Sequence, residues 1–261
     1  MGVKMETTND LQEEFKRIIS KNRLLIKFGN KKNLKSLQDG CIYMKNLKYY
    51  ASLEDDGSGV PDNQEGMFVM DNIDFELRDI KTKDVVARGV AKKGKLDFGI
   101  MKSPIFCLYN MDVRNLRDIK VDMDAHEING ELCFNDVQKS KLPLLGDYAL
   151  VILDTLEFEK RICQALEGLD LKYELRSVQY HNNNTIEGYY CYNTIDDIPF
   201  VKRKNRFEYQ QEYRLYISNK QVNDHFELQI GDIKSITKLV PTKELLEMSA
   251  IYKTIIKEKA E

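Results

Sequence analysis

The chain has 261 residues, 42% of them hydrophobic and 31% charged, with a formal net charge of −2. These values fit a soluble globular protein that can bury a substantial core, and they argue against disorder. The near-zero charge offers no global attraction to nucleic acid or to a membrane surface, so either partner would need a local patch. Five cysteines (Cys41, Cys107, Cys133, Cys163 and Cys191) are far apart and odd in number. No CxxC pair occurs, which argues against a zinc knuckle or a thioredoxin-type motif. With no signal peptide read at the start, they are expected to be reduced, mostly buried thiols in a cytoplasm. The longest apolar run, near Tyr148 to Leu153, is too short to span a bilayer.

In chain order, Asp10 to Ile19 reads as a first helix, with Asp10 and Glu13 in capping-box spacing and Leu11, Phe15, Ile18 and Ile19 on one face. Leu24 to Phe28 reads as a short apolar strand, Asn33 to Gln38 as a short helix stopped by Gly40, and Cys41 to Met44 as a second strand. Asn46 to Gly66 is dense in Gly, Pro, Ser, Asp and Asn, with Tyr49 and Tyr50 at its head, and reads as a long loop of the kind that carries function. Met67 to Asp136 is strand-rich. Hairpin turns are predicted at Lys92 to Lys95 and at Asn129-Gly130, and Ile105 to Tyr109 has the density of a buried central strand. Tyr148 to Leu153 is another buried strand. It leads into a helix from Thr155 to Leu166, whose apolar face holds Phe158, Ile162, Ala165, Leu166 and Leu169.

Leu171 to Tyr180 alternates as a strand, and Gly188 to Tyr192 is a candidate to pair with it. Glu212 to Ile217 follows as a strand with Tyr213, Leu215 and Ile217 on one face, then Phe226 to Ile230 and Ile236 to Val240. Pro241-Thr242 is predicted to open a last amphipathic helix through Ile256, with Leu245, Met248, Tyr252 and Ile255 facing inward. The fold class that follows is α+β. Residues 1–261 form a single domain with a mixed, mostly antiparallel sheet and N-terminal, central and C-terminal helices. The C-terminal helix offers a surface for homo-oligomerisation, and packing on the chain's own sheet accounts for it equally well.

Known motifs are mostly missing. His126, His181 and His225 stand alone, with no HExxH or HxH, so no metal ligand set is expected. There is no GxSxG elbow, no GxxxxGK[ST] and no GxGxxG. Gly57-Ser58-Gly59 sits among Glu54, Asp55 and Asp56, an acidic setting that repels phosphate, and the loop lacks the spacing of an EF-hand.

The segment from Pro199 to Ser218, PFVKRKNRFEYQQEYRLYIS, carries the strongest signal. Lys202, Arg203, Lys204 and Arg206 lead through aromatics to Gln210 and then to Glu212 at the start of a strand. A carboxylate in that position can stabilise an oxocarbenium ion and bond ribose hydroxyls, a neighbouring amide can orient an acceptor, and arginines can fork onto pyrophosphate. The plainer alternative is that Glu212 and Arg214 share a strand face within a surface charge network. The cations, interleaved with Phe200, Phe207 and Tyr209 and close to Tyr189, Tyr190 and Tyr192, also suit stacking on single-stranded nucleic acid. Against that stand the near-neutral net charge and the alternative of an exposed turn with core aromatics.

Two stretches carry a resemblance. The first runs from an apolar-Lys-Phe strand through Asp39-Gly40 and CIYM to Asn46-Leu47 and Tyr49-Tyr50. The second is FVKRKNRFEYQQEYRLYI. Together they resemble a loosely defined class of bacterial and phage proteins found near defence systems. More distantly they resemble the layout of ADP-ribosyltransferases, with a first-strand Arg or His that grips NAD, a middle aromatic or Ser motif, and a late strand beginning in Glu. On that resemblance Glu212 is the catalytic carboxylate and Gln210 orients the acceptor. Tyr49, Tyr50 and Ser52 stand for the middle motif, with a tyrosine stacking on nicotinamide. Arg203 or Arg206 holds the pyrophosphate, and NAD is the substrate. The first strand departs from the pattern, offering Lys27, or Arg23 just before it, in place of Arg or His. The reading implies that Glu212→Gln abolishes activity without lowering stability. Its rival is a non-catalytic protein that senses or blocks a protein partner through the 46–66 loop and the basic-aromatic segment.

Overall fold

The structure is a computed structural model and describes residues 23–53, 62–122, 124, 127–182, 191, 192 and 194–255. The expected helix at Asp10 to Ile19, residues 54–61 of the long loop, His126, Tyr189, Tyr190 and the end of the chain from Ile256 lie outside the described residues.

The elements in chain order are β1 (Leu24–Gly29), α1 (Lys31–Gln38), β2 (Cys41–Asn46), α2 (Leu47–Ser52), β3 (Phe68–Arg78), β4 (Val85–Leu96), β5 (Pro104–Met111), β6 (Leu116–Asp122), β7 (Glu127–Leu132), α3 (Asp136–Lys141), β8 (Tyr148–Ile152) and α4 (Thr155–Glu167). They continue with β9 (Tyr173–Ser177), β10 (Gln179–His181), β11 (Val201–Arg203), α5 (Lys204–Phe207), β12 (Glu212–Ile217), β13 (His225–Gln229), β14 (Thr237–Pro241), α6 (Thr242–Leu246) and β15 (Ala250–Ile255). The fold is α+β, with mostly antiparallel pairing.

The main sheet runs β13-β2-β5-β1-β8-β14, with β12 also on β5 and β9 beyond β12. Strand β5 is its axis. Tyr109 pairs with Glu212 on one side and with Ile26 on the other, while Ile105 pairs with Tyr216 and with Lys45. Strands β1 and β2 therefore share one edge of β5 at its two ends and leave the middle open, and β12 covers the opposite edge. The dense apolar run predicted as a central strand is this axis.

Alternation along the strands sends side chains to two cores. On one face Leu25, Phe106, Leu108 and Leu215 pack against α4. The helix begins where the Asp154 side chain accepts from Glu157 N, and it buries Phe158, Ile162 and Leu166 at four-residue spacing. Each such side chain is worth about 1.5–3 kcal/mol when fully buried. Leu169, assigned from sequence to the same face, is 57% exposed because the helix has already ended. On the other face Ile26, Phe28, Tyr109 and Met111 pack with Ile128 and Leu132 of β7 and Leu245 of α6.

Gly40, predicted to stop the first short helix, does so at φ 99°, and a Cβ there would collide with the Gly231 backbone. Only glycine fits this turn.

Several local expectations are corrected. The stretch after Asn46 is not all loop: the Asn46 side chain accepts from Tyr49 N and starts α2. Lys92 to Lys95 lies inside β4, and the hairpin turns at residues 79–84. There Asp79 Oδ1 accepts from Lys81 N and Thr82 N, and Lys83 takes φ 65°. Asn129-Gly130 lies inside β7: Asn129 pairs with Lys120 of β6 and Lys253 of β15, and Gly130 pairs with Tyr252 of β15 opposite a bulge in β6. The C-terminal helix is only Thr242–Leu246. The chain then forms β15, so Tyr252 faces Gly130 across a ladder and not along a helix.

Candidate functional site

Glu212 and Arg214 sit two residues apart on β12 and so point to the same face of the sheet. That face is buried, not a surface network: Glu212 is 6% exposed and Arg214 0%. Burying either charge alone would cost several kcal/mol, so partners must compensate. Arg214 Nη2 donates to Glu212 Oε2 at 2.6 Å, and its Nη1 donates to Glu65 Oε1 at 2.6 Å and to the Pro199 carbonyl. Lys202 Nζ donates to Glu212 Oε1 at 2.5 Å and to Gln210 Oε1 at 3.3 Å, and lies 3.2 Å from Glu65 Oε2. Two carboxylates and two cations thus form a closed lattice.

Three pieces of chain hold the lattice in place. Strand β12 presents Glu212 after Gln211, which adopts φ 41°, a left-handed conformation costing roughly 1–2 kcal/mol for a non-glycine residue. Strand β11 presents Lys202 and pairs in parallel with β10, placing Tyr180 beside Lys202. The Tyr180 hydroxyl accepts the Glu212 backbone N–H at 2.8 Å. The turn at residues 62–66 supplies Glu65, and it is fixed by Arg203 donating to Asp62 Oδ1 at 2.6 Å.

The lattice forms the polar wall of a cavity of about 220 Å³. Tyr50, Lys27 and Cys107 also line it, and Ile26, Phe28, Ile105, Tyr109 and Leu145 are among its apolar lining. Its size is below the ~300–1,000 Å³ of sites for drug-sized ligands and suits a single ring or sugar. Lys27 reaches into the open middle of the β5 edge, where its Nζ donates to the Cys107 carbonyl at 2.6 Å and lies 4.6 Å from the Phe106 ring centre. Among the described residues it has no carboxylate within ion-pair distance, so three cations face two carboxylates around the cavity.

Burial and charge act in opposite directions on these groups. Burial pushes the Glu212 carboxyl up, but Lys202 and Arg214 outweigh it and hold Glu212 below the ordinary carboxylate range, ionised at neutral pH. Burial pulls the Lys202 ammonium down, and Glu212 and Glu65 more than restore it, so Lys202 stays charged. Arg214 is likewise held above its usual value against burial. The Lys27 amine is lowered by burial. Burial pushes the Cys107 thiol up to about 11 and raises the Tyr50 and Tyr180 phenols, so all three keep their protons at neutral pH.

Of the residues singled out from sequence, Glu212, Gln210 and Tyr50 meet at this cavity. Tyr49 stacks edge-on against Tyr50 at 5.3 Å but is 40% exposed and lies outside the lining. Ser52 is exposed and its hydroxyl donates to the Tyr49 carbonyl. Arg203, expected to hold pyrophosphate, is bound to Asp62, and Arg206 lies with its guanidinium 5.7 Å from the Phe207 ring centre; neither lines the cavity. The stacking surface envisaged for single-stranded nucleic acid is internal, with Phe200 and Phe207 at 0% and Tyr209 at 8% exposure. Lys202, read as part of a basic loop, is a buried member of the lattice.

Glu65, Asp62, Tyr180 and Cys107 carried no signal that placed them here. Glu65 in particular lies 149 residues from its partner Arg214. Among the described residues no three His, Cys, Asp or Glu side chains group as metal ligands, and no helix is long and apolar enough to cross a membrane. Comparison with protein-family models, with curated proteins and with solved structures finds no match for this chain.

Proposed function

We propose that the protein is an ADP-ribosyltransferase-like enzyme that acts on NAD, in the setting of phage–bacterium conflict suggested by the resemblance. One observation carries the reading: the strand that begins in Glu212 and the first strand flank the same β5, and a buried, ionised carboxylate opens there onto a cavity containing Tyr50 and Gln210. In such a reaction the bond from ribose to nicotinamide breaks and positive charge develops on the sugar. An ionised carboxylate in a site of low polarity stabilises that charge without reorganising. Each Glu212 oxygen accepts one bond from a cation and keeps a second lone pair for a ribose hydroxyl. With Arg203 and Arg206 outside the lining and the three Lys202 donors taken by Glu212, Gln210 and Glu65, Lys27 is the cation offered to a phosphate.

The test is nicotinamide release from NAD by the purified chain, alone and with cell lysate as acceptor, using Glu212→Gln as the comparison. The lattice implies that this variant also loses stability, because Lys202 and Arg214 lose a buried partner. Ile162→Ala, a cavity in the opposite core expected to cost about 2–5 kcal/mol, therefore serves as the destabilised control. Release by wild type and Ile162→Ala but not by Glu212→Gln supports the reading. Absence of release from wild type removes it.

A second reading, a non-catalytic protein that binds a protein partner, is favoured by the hairpin of β3 and β4. It exposes Phe75 at 41%, Leu77 at 56%, Val86 at 71% and Val90 at 66%, more apolar surface than the described part of the 46–66 segment presents. On that reading Phe75→Asp with Leu77→Asp abolishes the effect on phage growth in cells, and Glu212→Gln leaves it intact. The opposite result excludes it.

A further inference from the structure

The proposed transfer needs a group that has not yet been named. After nicotinamide departs, an acceptor hydroxyl or water must lose a proton as its oxygen joins the sugar. Gln210, read from sequence as the residue that orients the acceptor, is an amide and takes no proton, and its Oε1 already accepts from Lys202. Tyr50 and Cys107 keep their own protons at neutral pH. Glu212 faces the developing cation. Among the described residues, the remaining carboxylate in the cavity is Glu65.

We propose that Glu65 is the general base that accepts the proton of the incoming nucleophile, an inference that rests on the ADP-ribosyltransferase reading. Its side chain is 1% exposed, lines the same cavity and is held by the same guanidinium as Glu212, one carboxylate on each nitrogen of the fork. Pairing a charge-stabilising carboxylate with a second, proton-accepting one is the division of labour that glycosyl transfer to water requires. The turn around Glu65 is built for position. Asp62 Oδ1 accepts from Gln64 N at 3.0 Å as well as from Arg203, and Gly66 at φ 67° packs so closely on Leu47 that a Cβ would approach its Cδ1 to 3.1 Å. Arg214 Nη1 lies 2.6 Å from Glu65 Oε1 and Lys202 Nζ 3.2 Å from Oε2, so both oxygens are fixed at the cavity wall. In the step itself the bond from ribose carbon to nicotinamide nitrogen breaks, with its electron pair leaving on nicotinamide. The acceptor oxygen bonds to that carbon, and its proton passes to a Glu65 oxygen and then to solvent.

The experiment measures nicotinamide release from NAD by the full chain carrying Glu65→Ala, with and without sodium azide, a nucleophile that has no proton to lose. Release is expected to fall about 100-fold or more, the lower range for a lost general base, and azide is expected to restore it by about tenfold, with an ADP-ribosyl azide seen by mass spectrometry. Azide should not rescue Glu212→Gln. Full release by Glu65→Ala, or a loss that azide does not relieve, overturns the proposal. If Glu65→Ala does not fold, the isosteric Glu65→Gln takes its place in the same assay, and failure of both to fold assigns Glu65 to the fold and overturns it. Absence of release from wild type removes the transferase reading and this proposal together. Release lost by Glu212→Gln but unchanged in Glu65→Ala removes only the proposal.

Discussion

The lattice around Glu212 and the hairpin of β3 and β4 both pair glutamates with arginines at about the same distances, yet they are physically opposite. In the hairpin, Glu76 accepts from Arg88 at 2.7 Å and also from Arg78, with both arginines more than half exposed. In the lattice, Arg214 holds Glu65 and Glu212 at 2.6 Å with its side chain fully buried. A surface pair gives up little water and gains little, with a median worth of about 0–1 kcal/mol. A buried pair gives up its hydration entirely, so each member depends on the others. Distance alone does not distinguish the two regions; access of water does.

The largest expected effect breaks the lattice. Arg214→Met leaves Glu65 and Glu212 sharing Lys202 as their one ion-paired cation among the described residues and should cost about 3–5 kcal/mol in urea unfolding. Replacing all four members, Glu65→Leu, Lys202→Met, Glu212→Leu and Arg214→Met, removes the charges of the lattice together and leaves Lys27 as the cation in the cavity lining. It should recover most of that loss while abolishing nicotinamide release. A quadruple variant no more stable than Arg214→Met would show that packing around Arg214, and not its charge, dominates.

Acidity tests the same lattice from outside. Glu212 has a folded-state pKa below its unfolded value, so its contribution to stability is fully present above the ordinary carboxylate range near pH 4 and is lost as pH falls through the folded value. Lys202 has the reverse sign: raised in the folded state, it contributes below the ordinary lysine value near 10 and loses that contribution as pH rises further. Lys27, lowered by burial, works against the folded state: its penalty grows as pH falls below the ordinary lysine value near 10 and levels off below its folded value. Thermal melts across pH should show a loss below about pH 4 that Glu212→Gln flattens. A wild-type acid limb unchanged in that variant would place the titrating groups elsewhere.

The strand carrying Glu212 was readable because its signal is local: alternation, a preceding turn and a carboxylate at the first position all fall within a few residues. The central strand and the Thr155 helix were readable for the same reason. Glu65 was not, because what fixes it at the cavity is Arg214 on another element, and nothing near Glu65 records that partner. Local turn signals also misled where tertiary pairing opposed them. Asn129-Gly130 has strong hairpin chemistry, but flanking strands on both sides hold it extended. Lys92 to Lys95 reads as a turn through Gly94, yet Asp79 five residues before Asp84 builds the better one with its own side chain. The last helix followed from a helical spacing of Leu245, Met248, Tyr252 and Ile255. The open edge of β7 recruited that stretch as β15 once α6 had ended.

The smallest expected effect sharpens the comparison most. Glu76→Gln removes the negative charge that both hairpin arginines pair with and should change stability by less than about 1 kcal/mol. The residual effect should vanish in high salt, because exposed charges are screened over about 10 Å at 0.1 M and over less as salt rises. Glu212→Gln should keep most of its cost in the same salt, since its carboxylate is 6% exposed and its cations lie at 2.5 and 2.6 Å, too close for salt to screen. Melts of the two variants at low and high salt therefore separate the regions by screening alone. If Glu76→Gln proved as costly and as insensitive to salt as Glu212→Gln, the hairpin would not be in water in solution. Its exposed Phe75, Leu77 and Val90 would then be covered by another molecule, and the partner-binding reading would overtake the enzymatic one.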